Sequence, residues 1–307
     1  MAGGVIDFSR LPAPEAVDAL DYEATLNAAL DKLLDLLPDW DVGDLESDPA
    51  KKVLEVYAYL DMLLRARIND AIRALLLAYA LGADLDQLAA NVEVTRLSGE
   101  SDTRLRARTQ QAFWSIAAAG PASAYRWHAM SVSAEIADVS VSSPASGQVT
   151  VAVLAPQAKP DDASADELEY GLAAFSAHDT ILARTDHATL DAVRTALDAD
   201  AVRPLTDTLS VTPPTVVPIA VDATLALYPG PDEALVLAEA QSALDTYLES
   251  VKRIGYDVTR AGILDALVVS GVRNVTLAEP AADVICTATE LALVTSSVIN
   301  TEEARDV

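Results

Sequence analysis

Residues 47–88 read SDPAKKVLEVYAYLDMLLRARINDAIRALLLAYALGADLDQL, and this stretch decides how the rest of the chain is organised. Ser47 or Asp48 stands ready to cap a helix, and Pro49 falls in the first turn, where a missing N–H costs nothing. From there Val53, Tyr57, Leu60, Leu64, Ile68, Ala71, Leu75 and Tyr79 recur at intervals of four and three, one side of a helix. Val56, Leu63, Ile72 and Leu76 read as a second stripe that widens the buried face. The spacing predicts a helix running to about residue 81 and ended by Gly82. Roughly 30 residues make a rod of about 45 Å. Asp84-Leu85-Asp86-Gln87-Leu88 then starts another short helical turn, with Asp84 and Asp86 as N-terminal charges favoured by the helix dipole.

Working outward, little upstream can cover such a rod. Pro12 and Pro14 make residues 1–20 an extended arm, and a short acidic helix over about 22–37 is stopped by Pro38. The long helix is therefore either an ordinary core helix or one that bundles with other chains. Downstream, two helices are expected between residues 99 and 133, separated at Gly120-Pro121. The period then changes. Ile136, Val139 and Val141 precede the turn Ser143-Pro144-Ala145-Ser146-Gly147, and Val149, Val151 and Val153 follow it, a hairpin of alternating strands. Residues 156–169 are rich in Pro, Asp, Ala and Ser and read as a loop or insertion.

A helix over 190–197 and a strand over 206–211 complete a small α/β unit, and Pro213, Pro214 and Pro218 mark the next boundary. Beyond it come an alternating strand (219–228), a helix (232–251), Gly255, a shorter helix (259–269) and strands over 272–277 and 290–298. The expected class is α+β: an N-terminal helical arm and long bundle helix, followed by two small α/β units with mixed sheets. The expected domains are 1–95, the arm and helical bundle region; 96–212, a central α/β domain with a loop insertion near 157–187; and 213–307, a C-terminal α/β domain.

Composition excludes several functions. Apolar residues make up 51% and charged residues 22%, so the chain buries a core and is not disordered. Against 21 basic residues stand 47 acidic ones, a net charge of −26, which repels phosphate backbones and anionic membranes alike. The densest basic run, Arg104, Arg106 and Arg108, follows Glu100 and Asp102 and reads as a solvated or salt-bridged helix face. No run of about 18 uncharged apolar residues spans a membrane. Met1-Ala2-Gly3-Gly4 lacks the charge and apolar run of a signal peptide, so the expectation is a soluble, unexported chain. The single cysteine, Cys286, rules out an intramolecular disulfide and suits a reducing cytoplasm; in the apolar run Val284-Ile285-Cys286 it reads as a small core residue.

The residues offer little chemistry. His128, His178 and His187 form no metal-binding spacing, although a pair of His178 with His187 is conceivable. No nucleophile elbow, phosphate loop or dinucleotide fingerprint occurs. Trp40, Trp114 and Trp127 lie scattered on predicted helices and read as core rather than as sugar platforms facing a carboxylate pair. No catalytic, cofactor or metal residue emerges.

An ordered set of stretches resembles the baseplate J family of contractile phage tails and related injection machines. It runs through Asp48-Pro49 and the long helix to Leu81-Gly82-Ala83-Asp84-Leu85-Asp86-Gln87-Leu88-Ala89, then Gly99-Glu100-Ser101-Asp102 with Arg104-Leu105-Arg106-Ala107-Arg108. Gly120-Pro121-Ala122-Ser123-Ala124-Tyr125, the hairpin, Val202-Arg203-Pro204-Leu205-Thr206-Asp207, Gly255-Tyr256-Asp257-Val258, Gly271-Val272-Arg273-Asn274-Val275 and Glu279-Pro280 follow. The resemblance covers about residue 48 to the end; residues 157–187 depart from it as a longer linker than usual.

The resemblance implies a structural, non-enzymatic wedge around the central spike hub, in the virion tail baseplate or an injection particle assembled in the host cytoplasm. Its expected partners are a second copy of itself, one copy of a partner wedge protein, and neighbouring baseplate and sheath-initiating components, with no cofactor, nucleic acid or membrane insertion. The interface candidates are Val53, Tyr57, Leu60, Leu64, Ile68, Leu75 and Tyr79, and the C-terminal unit would join copies into a ring. The alternative is a tail-associated hydrolase or a sugar-binding tail component.

Overall fold

Asp48 starts the long helix as its position promised: its carboxylate accepts the N–H groups of Ala50 at 2.8 Å and Lys51 at 3.1 Å. The computed structural model describes residues 6–11, 14, 20–40, 47–117, 120–155, 157–158, 180–181, 185–230 and 232–303, and it is mixed α+β. By contacts the chain divides into two compact units, residues 1–96 with 100–110, and residues 97–99 with 111–307.

In the first unit, α1 (Tyr22–Leu36) is capped by Asp21, whose carboxylate accepts from Ala24 N–H at 2.9 Å. It packs on α2 (Pro49–Ala74). The 26 residues of α2 rise about 39 Å, shorter than the spacing suggested. The helix stops at Ala74, and the turn that follows is tied down by the Arg106 guanidinium, which donates to Leu77 O at 2.7 Å and to Ala80 O at 2.6 Å. Gly82, expected as the stop, instead opens α3 (Gly82–Ala90) at φ +51°, a conformation open to glycine. The unit closes with α4 (Asp102–Gln110).

The second unit begins with a 3-10 turn (Ala112–Ile116) and α5 (Ala122–Met130). The expected hairpin is β1 (Asp138–Ser142) antiparallel to β2 (Gln148–Leu154), with Val139 opposite Val153 and Val141 opposite Val151. Two-residue strands β3 (Gln157–Ala158) and β4 (Thr180–Ile181) pair antiparallel. The rest of the loop expected over 156–169, most of the longer segment 157–187, and His178 lie outside the described residues. Buried Thr185 holds the returning chain against β2, its hydroxyl accepting from Ala155 N–H at 2.9 Å and donating to Val153 O at 2.5 Å.

After α6 (His187–Leu197), capped by Asp186, β5 (Thr208–Thr212) joins β2 in parallel and completes a sheet of order β1-β2-β5. Tyr125 and Ala129 of α5 and Leu190, Val193 and Leu197 of α6 pack on Val139, Val151 and Val153. The opposite face of β2 is buried too: Ala152 and Leu154 meet Ile254, Leu291 and Leu293.

β6 (Thr215–Leu227) is central in a second sheet, antiparallel to β7 (Val272–Glu279) and parallel to β8 (Glu290–Glu303). It begins earlier than expected and contains Pro218, read from sequence as a boundary. The proline is tolerated because β7 reaches β6 only from Asp222 onward, leaving one side of Pro218 without a strand to bond. Ile219, Val221, Ala223, Leu225 and Leu227 alternate onto one face, covered by α7 (Glu233–Val251) and α8 (Arg260–Leu267). Among the described residues no helix is long and apolar enough to cross a membrane.

Candidate assembly surface

A helix advances 100° per residue, so Val53, Tyr57, Leu60, Leu64 and Ile68 fall within a narrow arc of α2. Its buried residues, Ala58 and Asn69, lie on the far side. α1 occupies the flank of Leu54, Asp61 and Arg65, leaving a groove between the two helices that Tyr57 also borders. The stripe itself stays in water: Leu60 and Leu64 are 57% and 58% exposed, and Val53 reaches 67%.

Leu75 and Tyr79, the last two candidates, are exposed as well but lie past the end of α2, in the turn leading to α3. The second stripe does not exist as one face. Val56 and Leu63 are exposed beside the first stripe, whereas Ile72 and Leu76 are half-buried; the nine-residue step from 63 to 72 turns half a circle. Fully burying one such side chain contributes about 1.5–3 kcal/mol. Large contiguous exposed apolar patches mark contact sites for proteins, membranes or ligands.

The segments that follow this helix are joined by a buried ionic clasp. The Glu100 carboxylate, whose side chain has no exposure, takes a two-pronged contact from Arg108, 2.7 Å from Nε and 2.8 Å from Nη2, while Arg104 Nε lies at 3.3 Å. Arg108 also donates to Thr95 O at 2.7 Å. Arg96 bridges Asp86 and Asp102, at 2.7 Å each, and donates to Glu100 O at 2.9 Å. Asp102 in turn accepts from Gly82 N–H at 2.9 Å. That backbone N–H, with Arg96, holds the Asp102 carboxyl below its ordinary range.

Burial pulls the Arg104 guanidinium below its usual value, against the attraction of Glu100. Of the two readings of the Arg104–Arg106–Arg108 run, the salt-bridged one holds: Arg104 and Arg108 meet Glu100, Arg108 is buried, and Arg106 holds the turn after α2. Asp84 does sit in the first turn of α3, but Asp86 serves Arg96.

The other stretches that carry the resemblance are also clasps. Gly120, at φ +59°, lies so close to Pro204 that an added Cβ would stand 2.6 Å from Cγ. Tyr125 donates to the Asp207 carboxylate at 2.9 Å, and burial with this carboxylate raises the phenol well above its ordinary value. Gly255 N–H donates to Glu290 O at 2.7 Å, and the Asp257 carboxylate accepts from Cys286 N–H at 2.9 Å. Arg260 donates to Leu277 O at 2.9 Å and to Pro280 O. Asp138, buried and missed in the sequence reading, accepts from Arg126 at 2.6 Å and from Ile254 N–H at 2.9 Å. Nothing in the sequence near it signalled a partner 116 residues away.

Among the described residues the chemistry-bearing side chains do not converge. His128 is half-buried and edge-on to Trp127 at 5.0 Å; burial lowers its pKa against a bond with Ser115. His187 is exposed at the start of α6. Cys286 is buried, which pushes its thiol pKa up. Trp114 and Trp127 are only half-buried, and Trp40 lies in the turn after α1 rather than on a helix. Among the described residues no three His, Cys, Asp or Glu side chains cluster.

Three family models match the chain in order. They are the Baseplate J-like N-terminal domain over residues 46–101, the Baseplate J-like central domain over 117–213 and the Baseplate J-like protein C-terminal domain over 219–299. The chain belongs to the baseplate J-like family and is a structural component of the phage tail baseplate. Baseplate protein J of Escherichia phage P2 is 36% identical to it, across 95% of this chain and 96% of that protein.

Proposed function

We propose that the chain is a non-enzymatic wedge subunit of a contractile tail baseplate. Residues 1–95 bundle two copies with one copy of a partner wedge protein, residues 96–212 form a rigid middle, and residues 213–307 join neighbouring copies into a ring around the central spike hub. The observation that carries this reading is the exposed stripe of α2. A capped helix of 26 residues keeps Val53, Tyr57, Leu60, Leu64 and Ile68 in water. Residues spaced in this way fit knobs-into-holes against partner helices.

The contacts of Arg106 support the same reading, because they tie the turn after α2 to α4. A stiff rod loses less entropy on association than a loose one. Baseplate neighbours, including the components that initiate the sheath, are the remaining contacts.

The test is co-expression with the partner wedge protein, followed by size-exclusion chromatography. Leu60→Asp with Leu64→Asp should abolish the complex, since two charges would be buried without partners. A full complex from the double variant would mean that α2 is not the bundling element.

A further inference from the structure

Among the described residues, the large apolar side chains that stand furthest into water are Leu205, 96% exposed, and Phe113 and Ile116, each 77% exposed. One exposed leucine alone is ordinary. These three, however, lie on two stretches that the fold holds together on α5. The 3-10 turn carrying Phe113 and Ile116 packs against α5, and His128 of that helix bonds the Ser115 backbone. The chain then reaches Gly120, which lies against Pro204. From the helix itself, Tyr125 donates to the Asp207 carboxylate at 2.9 Å.

Leu205 stands at the tip of a tied turn. Asp207 N–H donates to Pro204 O at 3.1 Å, which closes the turn over Leu205 and Thr206. Arg203 donates to Asp207 O at 2.8 Å and meets Asp198 at 2.7 Å, and Thr208 N–H donates to Gly147 O at 2.7 Å. Turn tips ordinarily take Gly, Pro, Asn, Asp or Ser. A leucine in water adds little to the fold of the single chain, whereas a backbone already held in place lowers the ordering cost of docking.

We infer that Leu205, together with Phe113 and Ile116, forms a docking surface for an apolar pocket edged by lysine or arginine on a different protein of the tail baseplate. This gives the central domain a contact of its own. It requires only that the chain is a baseplate component, and it is independent of the bundling role of α2.

Charge selects the occupant. Around Leu205, residues 198–207 carry three carboxylates, Asp198, Asp200 and Asp207, against the single guanidinium of Arg203, and residues 111–125 carry no charge. Arg203 is engaged by Asp198, and the next arginine, Arg126, by Asp138. The apolar surface is therefore bordered by negative charge, which favours a basic rim on whatever covers it. A second copy is poorly suited to supply one: its net charge is −26, and its Arg96, Arg104, Arg106 and Arg108 are spent on internal contacts.

The experiment uses tails assembled with the full chain. Hydroxyl-radical footprinting of the unsubstituted protein should find Leu205, Phe113 and Ile116 oxidised in the free chain and protected in tails. Irradiated tails carrying Leu205→p-benzoylphenylalanine should link residue 205 to a different tail protein, in an apolar segment beside lysine or arginine. Leu205→Asp should melt like the parent chain by circular dichroism. It should nevertheless lower the yield of complete tails, counted by electron microscopy, by about tenfold or more, because a charge would enter an apolar pocket.

Equal oxidation of Leu205 in both states, a link to a second copy or to this chain's own residues, or a parental tail yield from Leu205→Asp would each overturn the inference. Footprinting needs no substitution, so it decides the question even where a variant assembles poorly. Bundling by α2 is read separately, from the co-expressed complex with Leu60→Asp and Leu64→Asp, so either reading can fail alone.

Discussion

Glu100 is the residue on which the first unit turns. Its carboxylate is fully enclosed and shared by Arg108 and Arg104, and Arg108 also holds the carbonyl of Thr95. Removing one member of such a group leaves charge buried without its mate, which typically costs about 3–5 kcal/mol. Glu100→Gln should therefore lower the unfolding free energy, read from urea denaturation, by an amount in that range.

Asp102 gives the same network a pH dependence. Its folded pKa is depressed by Gly82 N–H and Arg96, so its contribution is complete above the ordinary carboxylate value and fades as pH falls through the folded one. Urea midpoints measured from about pH 5 downward should fall less steeply in Asp102→Asn than in the parent chain. In the central sheet Gly120 is fixed by two independent demands, a positive φ and the nearness of Pro204. Gly120→Ala should cost about 1–3 kcal/mol in thermal denaturation, from left-handed strain and overpacking together.

At the scale of elements, α2 separates stability from assembly. Leu60 and Leu64 are more than half exposed and contribute little to the fold of the single chain. Aspartate at both positions should change the stability of the free protein by no more than surface substitutions do, about 0.5 kcal/mol each. Circular dichroism melting checks this. A large drop would mean that the stripe belongs to an intrachain core.

β2 shows the opposite design. Alternate residues are buried on both of its faces, against α5 and α6 on one side and against Ile254, Leu291 and Leu293 on the other. A hairpin of alternating valines announced the first face. The second face, made by Ala152 and Leu154, depends on a strand 140 residues away and left no period to read.

For the whole molecule, charge is the governing quantity. With 21 basic and 47 acidic residues, and with Arg96, Arg104, Arg106 and Arg108 all engaged inside the first unit, no basic surface gathers from these arginines to meet a phosphate backbone. Gel-shift titration at physiological salt should find no complex with double-stranded DNA.

The sequence by itself determined the local structure: a cap at Ser47 or Asp48, the start of α2, the hairpin, the strand-and-helix order of the C-terminal half and, through ordered motifs, the family. Caps, periods and turns act between neighbours, so they are written in short spacings. Only the tertiary structure decided that α2 ends at Ala74, that Arg108 is buried, that Val56 and Ile72 face different ways, and that Asp138 and Ile254 meet. Each of these depends on groups far apart in the chain competing for the same carbonyl, carboxylate or apolar face, and that competition is settled only when the chain has folded.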